Sequence, residues 1–172
     1  MAHSIELLLD ERADTAIRQV WQALADAGLP SQVKVASHTN RPHITLVAAE
    51  RIDPGIDEEL EWLVAELPWP AVLGAPLVFG GGRLTLARLV IPSDKLLDTH
   101  ELVYDECRPY ARNLFAHCAP GRWTPHVTLG RRLTPAHVAE ALTVGGITAD
   151  LAAGIVGLRR WDGDAKRDFL IG

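Results

Sequence analysis

Five residues in the order proline, histidine, aliphatic, threonine, leucine occur twice in the chain, as Pro42-His43-Ile44-Thr45-Leu46 and Pro125-His126-Val127-Thr128-Leu129. Side chains of a strand alternate between its faces with period two. His43 and Thr45 therefore share one face and Ile44 and Leu46 the other, and the second copy divides His126 and Thr128 from Val127 and Leu129 in the same way. Proline cannot donate to an interior ladder and drives the residue before it into extended geometry, so Pro42 and Pro125 read as strand-opening residues. Each copy predicts a strand that sets an imidazole beside a hydroxyl above a buried aliphatic face. Average residue usage would repeat the pentad in roughly one chain in a thousand of this length, so the repeat implies two matched sites or one site built from both.

Imidazole, with an ordinary pKa near ~6.5, gives or takes a proton near neutrality. Two of them, one neutral and one protonated, can take a proton from an attacking water or hydroxyl and return one to a departing oxygen. Such a pair predicts a bell-shaped pH–rate profile whose two values belong to the pair. A threonine hydroxyl two residues on can donate to an oxygen on which charge develops, and its β-branch suits a strand. Arg41 precedes the first copy and Arg131 and Arg132 follow the second, each a candidate guanidinium clamp for an anionic substrate group. Strict alternation puts Arg132 on the His126 face. Neither copy carries a carboxylate or second histidine at ligand spacing, and two histidines alone make a poor metal site, so neither metal nor cofactor is expected.

A chain of 172 residues has room for one domain of two small halves. Its net charge of -5 argues against wrapping long nucleic acid through many phosphate contacts, while a small anion in a locally basic cleft remains compatible. Cys107 and Cys118 have no metal-type spacing, and a disulfide framework would carry more cysteines. With no basic segment before an apolar run and no apolar stretch of membrane-spanning length, the expectation is a soluble, unprocessed, cytoplasmic monomer.

In chain order, 5–9 reads as a strand, and Asp10 opens a helix with Ala13, Ile17, Val20, Trp21, Leu24 and Ala27 as its buried stripe. Val33 and Val35 predict a short extended segment, and His38 a solvated turn. Residues 56–67 predict one amphipathic helix ending at Pro68, with Trp62 and Trp69 as packing residues. Residues 72–79 and 83–91 predict strands joined by a Gly80-Gly81-Gly82 hairpin turn, the second buried on both faces or bulged. Ser93 caps a helix whose inward stripe includes His100, read as a packed histidine. Residues 113–122, with His117 and Cys118, read as a loop, and Tyr110 and Trp123 as base-stacking or packing aromatics. Thr134-Pro135 opens a short helix with His137 in its exposed first turn, and 149–161 with 166–171 close the chain as a β-hairpin.

The paired motifs His43-Ile44-Thr45-Leu46 and His126-Val127-Thr128-Leu129 resemble the signature of the 2H phosphoesterase superfamily, whose best-known branch is the 2′-5′ RNA ligase-like proteins. The resemblance spans most of the chain, although many members follow the first motif with an aromatic and a glycine where this chain has Val47-Ala48-Ala49-Glu50. It implies an α+β fold of two pseudo-symmetric lobes of mainly antiparallel sheet with outer helices, one motif strand per lobe facing a central cleft. It also implies metal-independent hydrolysis of a 2′,3′-cyclic phosphate or 2′-5′ phosphodiester at a nucleotide or short RNA end, with His43, Thr45, His126 and Thr128 as catalytic residues. The family pattern favours Arg131 over Arg132, which a bulge at Gly130 would reconcile with alternation. A non-catalytic nucleotide-binding module and a 2′-5′ RNA ligase remain the alternatives.

Overall fold

In the computed structural model, which describes residues 1–172, β1 (His3–Leu9) is buried along its whole length. Asp10 then caps α1 (Glu11–Asp26) by accepting from the Ala13 amide at 2.7 Å. The buried stripe of α1 runs Ala13, Ile17, Val20, Trp21 and Leu24, as its period requires. β2 (His43–Ile52) carries the first motif. It is followed by α2 (Ile56–Glu59), α3 (Glu61–Ala65), β3 (Trp69–Phe79) and β4 (Leu84–Val90). The second half contains α4 (Asp94–Cys107), capped by Ser93, then β5 (Ala111–Leu114) and β6 (His126–Leu133), which carries the second motif. α5 (Pro135–Ala141), capped by Thr134, β7 (Leu151–Asp162) and β8 (Arg167–Leu170) complete the chain.

The strands form one antiparallel sheet in the order β5-β2-β1-β7-β3-β4-β6, with β8 beside β7. Its middle is the seam between β3 and β7, where Trp69 pairs with Ile155 and Leu73 with Leu151. On one side lie β7, β1 and β2; on the other lie β3, β4 and β6, so the motif strands occupy equivalent places three strands out. The expected pseudo-symmetric α+β arrangement is present, and the two halves share one apolar core that runs from Ile5 and Leu7 to Val127 and Leu129. The sheet curves until β2 and β6 approach each other, while α1 lies near β6 and α4 against β2. No helix is long and apolar enough to cross a membrane.

Three local expectations are corrected. Residues around Val33 form a 3-10 turn (Gln32–Lys34) instead of an extended segment, because Ser31 Oγ captures the Val33 amide at 3.2 Å while donating to the Trp21 carbonyl at 2.5 Å. The helix over 56–67 is broken at Leu60 into α2 and α3. Neither piece has a side-chain cap, the acids Asp57, Glu58, Glu59 and Glu61 crowd together, and Asp57 is drawn to Arg160 at 2.8 and 2.9 Å. The loop over 113–122 contains the end of β5 and a 3-10 turn (Ala116–Cys118). β5 exists by pairing with the edge of β2, Ala49 with Leu114 and Arg51 with Arg112, a distant partner that its own short polar sequence does not announce.

Candidate active site

Both motif strands slip register directly after their threonine. Along β1 and β2 the pairing runs Glu6 with Thr45 and then Ile5 with Val47, which leaves Leu46 unopposed. Along β4 and β6 it runs Ala87 with Thr128 and then Leu86 with Gly130, which leaves Leu129 unopposed. A bulge of one residue resets the alternation. Leu46 and Val47 are therefore both buried, and Ala48 and Arg131 come round to the face of their histidines. This selects Arg131 over Arg132 from a bulge one residue earlier than Gly130. Arg132 sits at a second slip, with φ 64° and an exposed side chain.

The two imidazoles are anchored alike. His43 Nδ1 lies 2.7 Å from the carbonyl of Arg41, and His126 Nδ1 lies 2.7 Å from the carbonyl of Thr124, in each case two residues back. A carbonyl can only accept, so each ring carries its proton on Nδ1 when neutral and presents the Nε2 lone pair. Burial pushes the pKa of His126 below its ordinary 6.5; the Thr124 bond opposes this, and the charges of Arg131, His43 and His117 reinforce it. Phe79 tilts against the His126 ring with centroids 4.7 Å apart.

Two adjoining cavities meet at these residues. One of about 390 Å³ is lined on the second-half side by Phe79, Thr85, Arg122, Trp123, His126 and Arg131. Another of about 480 Å³ reaches toward the first half past His43, Ser4, Glu6, Asn40 and Arg159. Thr45, His117, His126 and Arg131 line both, so the cleft is continuous. Its first-half wall holds a buried carboxylate, Glu6, with Oε1 3.6 Å from His43 Nε2.

The geometry coincides with a family match. The family model of the 2′-5′ RNA ligase superfamily matches residues 10–164. The chain belongs to the 2′-5′ RNA ligase superfamily. Membership of this 2H phosphoesterase group places it among phosphodiesterase-type enzymes. No match is found among curated proteins. Among solved structures, Kluyveromyces marxianus Usb1 with uridine monophosphate is similar at 14% identity and a TM-score of 0.54, over 99% of this chain and 96% of that one. E. coli LigT complexed with 3′-AMP is similar at 14% identity and a TM-score of 0.52, over 98% and 91%. A structure described as a phosphoesterase gives 15% identity and a TM-score of 0.54, over 98% and 92%. At these identities the likeness shows the superfamily fold.

Of the residues singled out from sequence, His43, Thr45, His126 and Arg131 meet in the cleft. Thr128 shares the His126 strand face but is buried and does not line the cavities. Arg41 and Arg132 do not line them either, and Arg41 turns to Asp14 at 3.3 Å. Tyr110 lies elsewhere, donating to Glu59 at 2.9 Å. Trp123 lines the cleft while one ring face stacks on His100 at 3.9 Å. His100 is the packed histidine its place in the stripe predicts: buried, with Nε2 2.8 Å from the Cys118 carbonyl. Sequence reasoning missed Glu6, Arg159, Phe79 and a cleft position for His117. The signal for the first two was a charged residue inside an otherwise apolar strand, which must find a partner if it is buried.

Proposed function

We propose that this chain is a phosphodiesterase that opens 2′,3′-cyclic phosphates or cleaves 2′-5′ linkages at a nucleotide or short RNA end, by proton transfer between His43 and His126 and without a metal ion. The observation that carries the proposal is the matched anchoring of the two rings, each tied through Nδ1 to the carbonyl two residues back, beside one continuous cleft. Two such nitrogens on either side of a phosphorus serve a displacement in which one accepts a proton while the other gives one. Thr45 donates to a non-bridging oxygen, and Arg131 offsets the charge that grows there in the transition state. Thr128, largely covered, supports the His126 strand from the same face. The nucleotides held by the Usb1 and LigT structures support a nucleotide substrate.

The test is turnover of 2′,3′-cyclic mononucleotides in EDTA, with wild type beside His43→Ala and His126→Ala. Activity is expected to survive chelation and to fall about 100-fold or more in each variant, the scale of acid–base assistance. Full turnover in either variant would show the two-histidine mechanism to be wrong. Tight nucleotide binding by a wild type that turns nothing over would identify a binding module instead.

A further inference from the structure

Two pentads that differ only by Ile44 against Val127 cannot by themselves give their histidines opposite proton roles, so the difference must come from outside them. The register identifies where. Opposite Thr45 on β1 stands Glu6, and opposite Thr128 on β4 stands Ala87. Two residues past each bulge the charge is reversed: Ala48 follows Leu46, and Arg131 follows Leu129. The scaffold is two-fold and its charges are not.

Glu6 is 4% exposed. Its Oε1 accepts from Ser4 Oγ at 2.6 Å and lies 3.6 Å from His43 Nε2, while Oε2 accepts from Arg159 Nε at 2.8 Å. Arg159 in turn donates through Nη1 to the Thr39 carbonyl and to Asp168, both at 2.9 Å. Glu6 shares this one guanidinium with Asp168, whose carboxylate is partly exposed, and His43 is the other basic group placed beside the buried Glu6 carboxylate. At 3.6 Å the pair is too long for a hydrogen bond, so the Nε2–H of a protonated His43 is held by charge and stays free for donation. Burial alone would raise the Glu6 carboxyl, but His43, Arg159 and the hydrogen bonds from Ser4 and Arg159 hold it below its ordinary value, so it is anionic at neutral pH.

We infer that Glu6 is a positioning residue whose buried carboxylate beside Nε2 makes His43 the general acid and leaves His126 as the general base. The inference rests on the two-histidine reading above. The titratable and charged groups that line the cavity with His43 are His3 and Glu6 from β1, Arg159 from β7, His126 and Arg131 from β6, and His117 from the turn before β6. Glu6 is the anion among them. The charges that act on His126 are Arg131, His43 and His117, all of which oppose a proton there. In the reaction His126 Nε2 takes the proton of the attacking hydroxyl, from water or ribose, as its oxygen bonds to phosphorus. The bond from phosphorus to the leaving oxygen breaks with its electron pair on that oxygen, which takes the proton from His43 Nε2. His126 ends protonated and His43 neutral, and exchange with solvent restores both. The leaving oxygen therefore faces the Glu6 wall of the cleft.

The deciding experiment compares a methyl and a 4-nitrophenyl ester of one nucleoside 3′-phosphate, since a nitrophenolate departs without a proton and needs no acid. Glu6→Gln is expected to lose about 10-fold or more on the methyl ester and only a small part of that on the nitrophenyl ester, and to move the alkaline limb of the pH–rate profile downward. Glu6→Asp should recover part of the loss. Equal losses on both esters with an unmoved limb would overturn the inference while leaving the phosphodiesterase reading in place. The same split is available without touching Glu6: His43→Ala should be spared on the nitrophenyl ester and His126→Ala should not. The reverse order overturns the assignment even if the Glu6 variants fail to fold. A wild type that opens no 2′,3′-cyclic phosphate and turns over neither ester would overturn both readings together.

Discussion

The indole N–H of Trp123 donates to the carbonyl of Thr45 at 2.9 Å, although the two residues belong to opposite halves of the sheet. Trp21 of α1 reciprocates, donating to the carbonyl of Thr128 at 3.0 Å. Each motif strand is thus tied, at its threonine, to a tryptophan supplied by the other half. These ties hold the two halves of the sheet together at the motif strands.

Removing either tie should weaken the fold and the site together. Trp21→Phe leaves the Thr128 carbonyl without its donor in a buried setting, at a cost of about 1–3 kcal/mol. Trp123→Phe, at a half-buried position, should cost less stability but more activity, because Trp123 lines the cleft and Trp21 does not. Urea unfolding and steady-state turnover measured on both variants check this ordering.

The lowered pKa of His126 sets the sign of the acid limb. A base must be neutral to work, so the rate rises with pH as His126 loses its proton, and a value below the ordinary 6.5 places half-maximal activity on that limb below pH 6.5. Arg131 contributes to the lowering, after burial. Arg131→Gln should therefore move the acid limb upward while raising KM for the phosphoester, and a limb that stays in place would contradict it.

Gly130 admits no side chain. A Cβ there would fall on the carbonyl oxygen of Pro30, a backbone atom that cannot swing away. Gly130→Ala should push β6 outward at its bulge and carry Arg131 with it. The expected result is a loss of stability of about 1–3 kcal/mol, the scale of overpacking, together with a rise in KM. Thermal unfolding and Michaelis kinetics report the two effects separately.

Arg88 is fully buried on β4 and donates to four carbonyls, those of Gly74, Gly146, Leu73 and Ala149, at 2.6 to 3.0 Å. Two of these belong to the stretch where β3 slips register against β4. Arg88→Met keeps much of the volume and leaves all four carbonyls without this donor, for an expected loss of about 3 kcal/mol or more. Arg88→Lys should fall between, because an ammonium cannot fan out to four acceptors in one plane. Denaturant midpoints of the three proteins give the order directly.

What the sequence made legible was local. The histidine motifs, the caps at Asp10, Ser93 and Thr134, the stripe of α1 and the place of His100 all follow from spacings of a few residues. Glu6 did not, because within Ser4-Ile5-Glu6-Leu7 it resembles the outward member of an alternating strand; its partner Arg159 lies 153 positions on. Arg131 and Arg132 were separable only once the bulge at Leu129 was placed, and that bulge depends on pairing with β4. β5 was missed for the same reason, since its partner is the edge of β2. Arg41 illustrates the converse: adjacency to a motif gave it a clamp reading, and Asp14, 27 positions earlier in the chain, holds its guanidinium instead.

Because the motif strands lie at corresponding places on either side of the β3–β7 seam, the gap between the imidazoles behaves like the opening of a pair of callipers whose pivot is that seam. Each strand step multiplies any change of twist made at the pivot. The distance that chemistry requires is consequently written into the curl of the entire sheet, and residues such as Pro70 and Gly154, paired at the pivot and remote from any substrate, hold leverage over it.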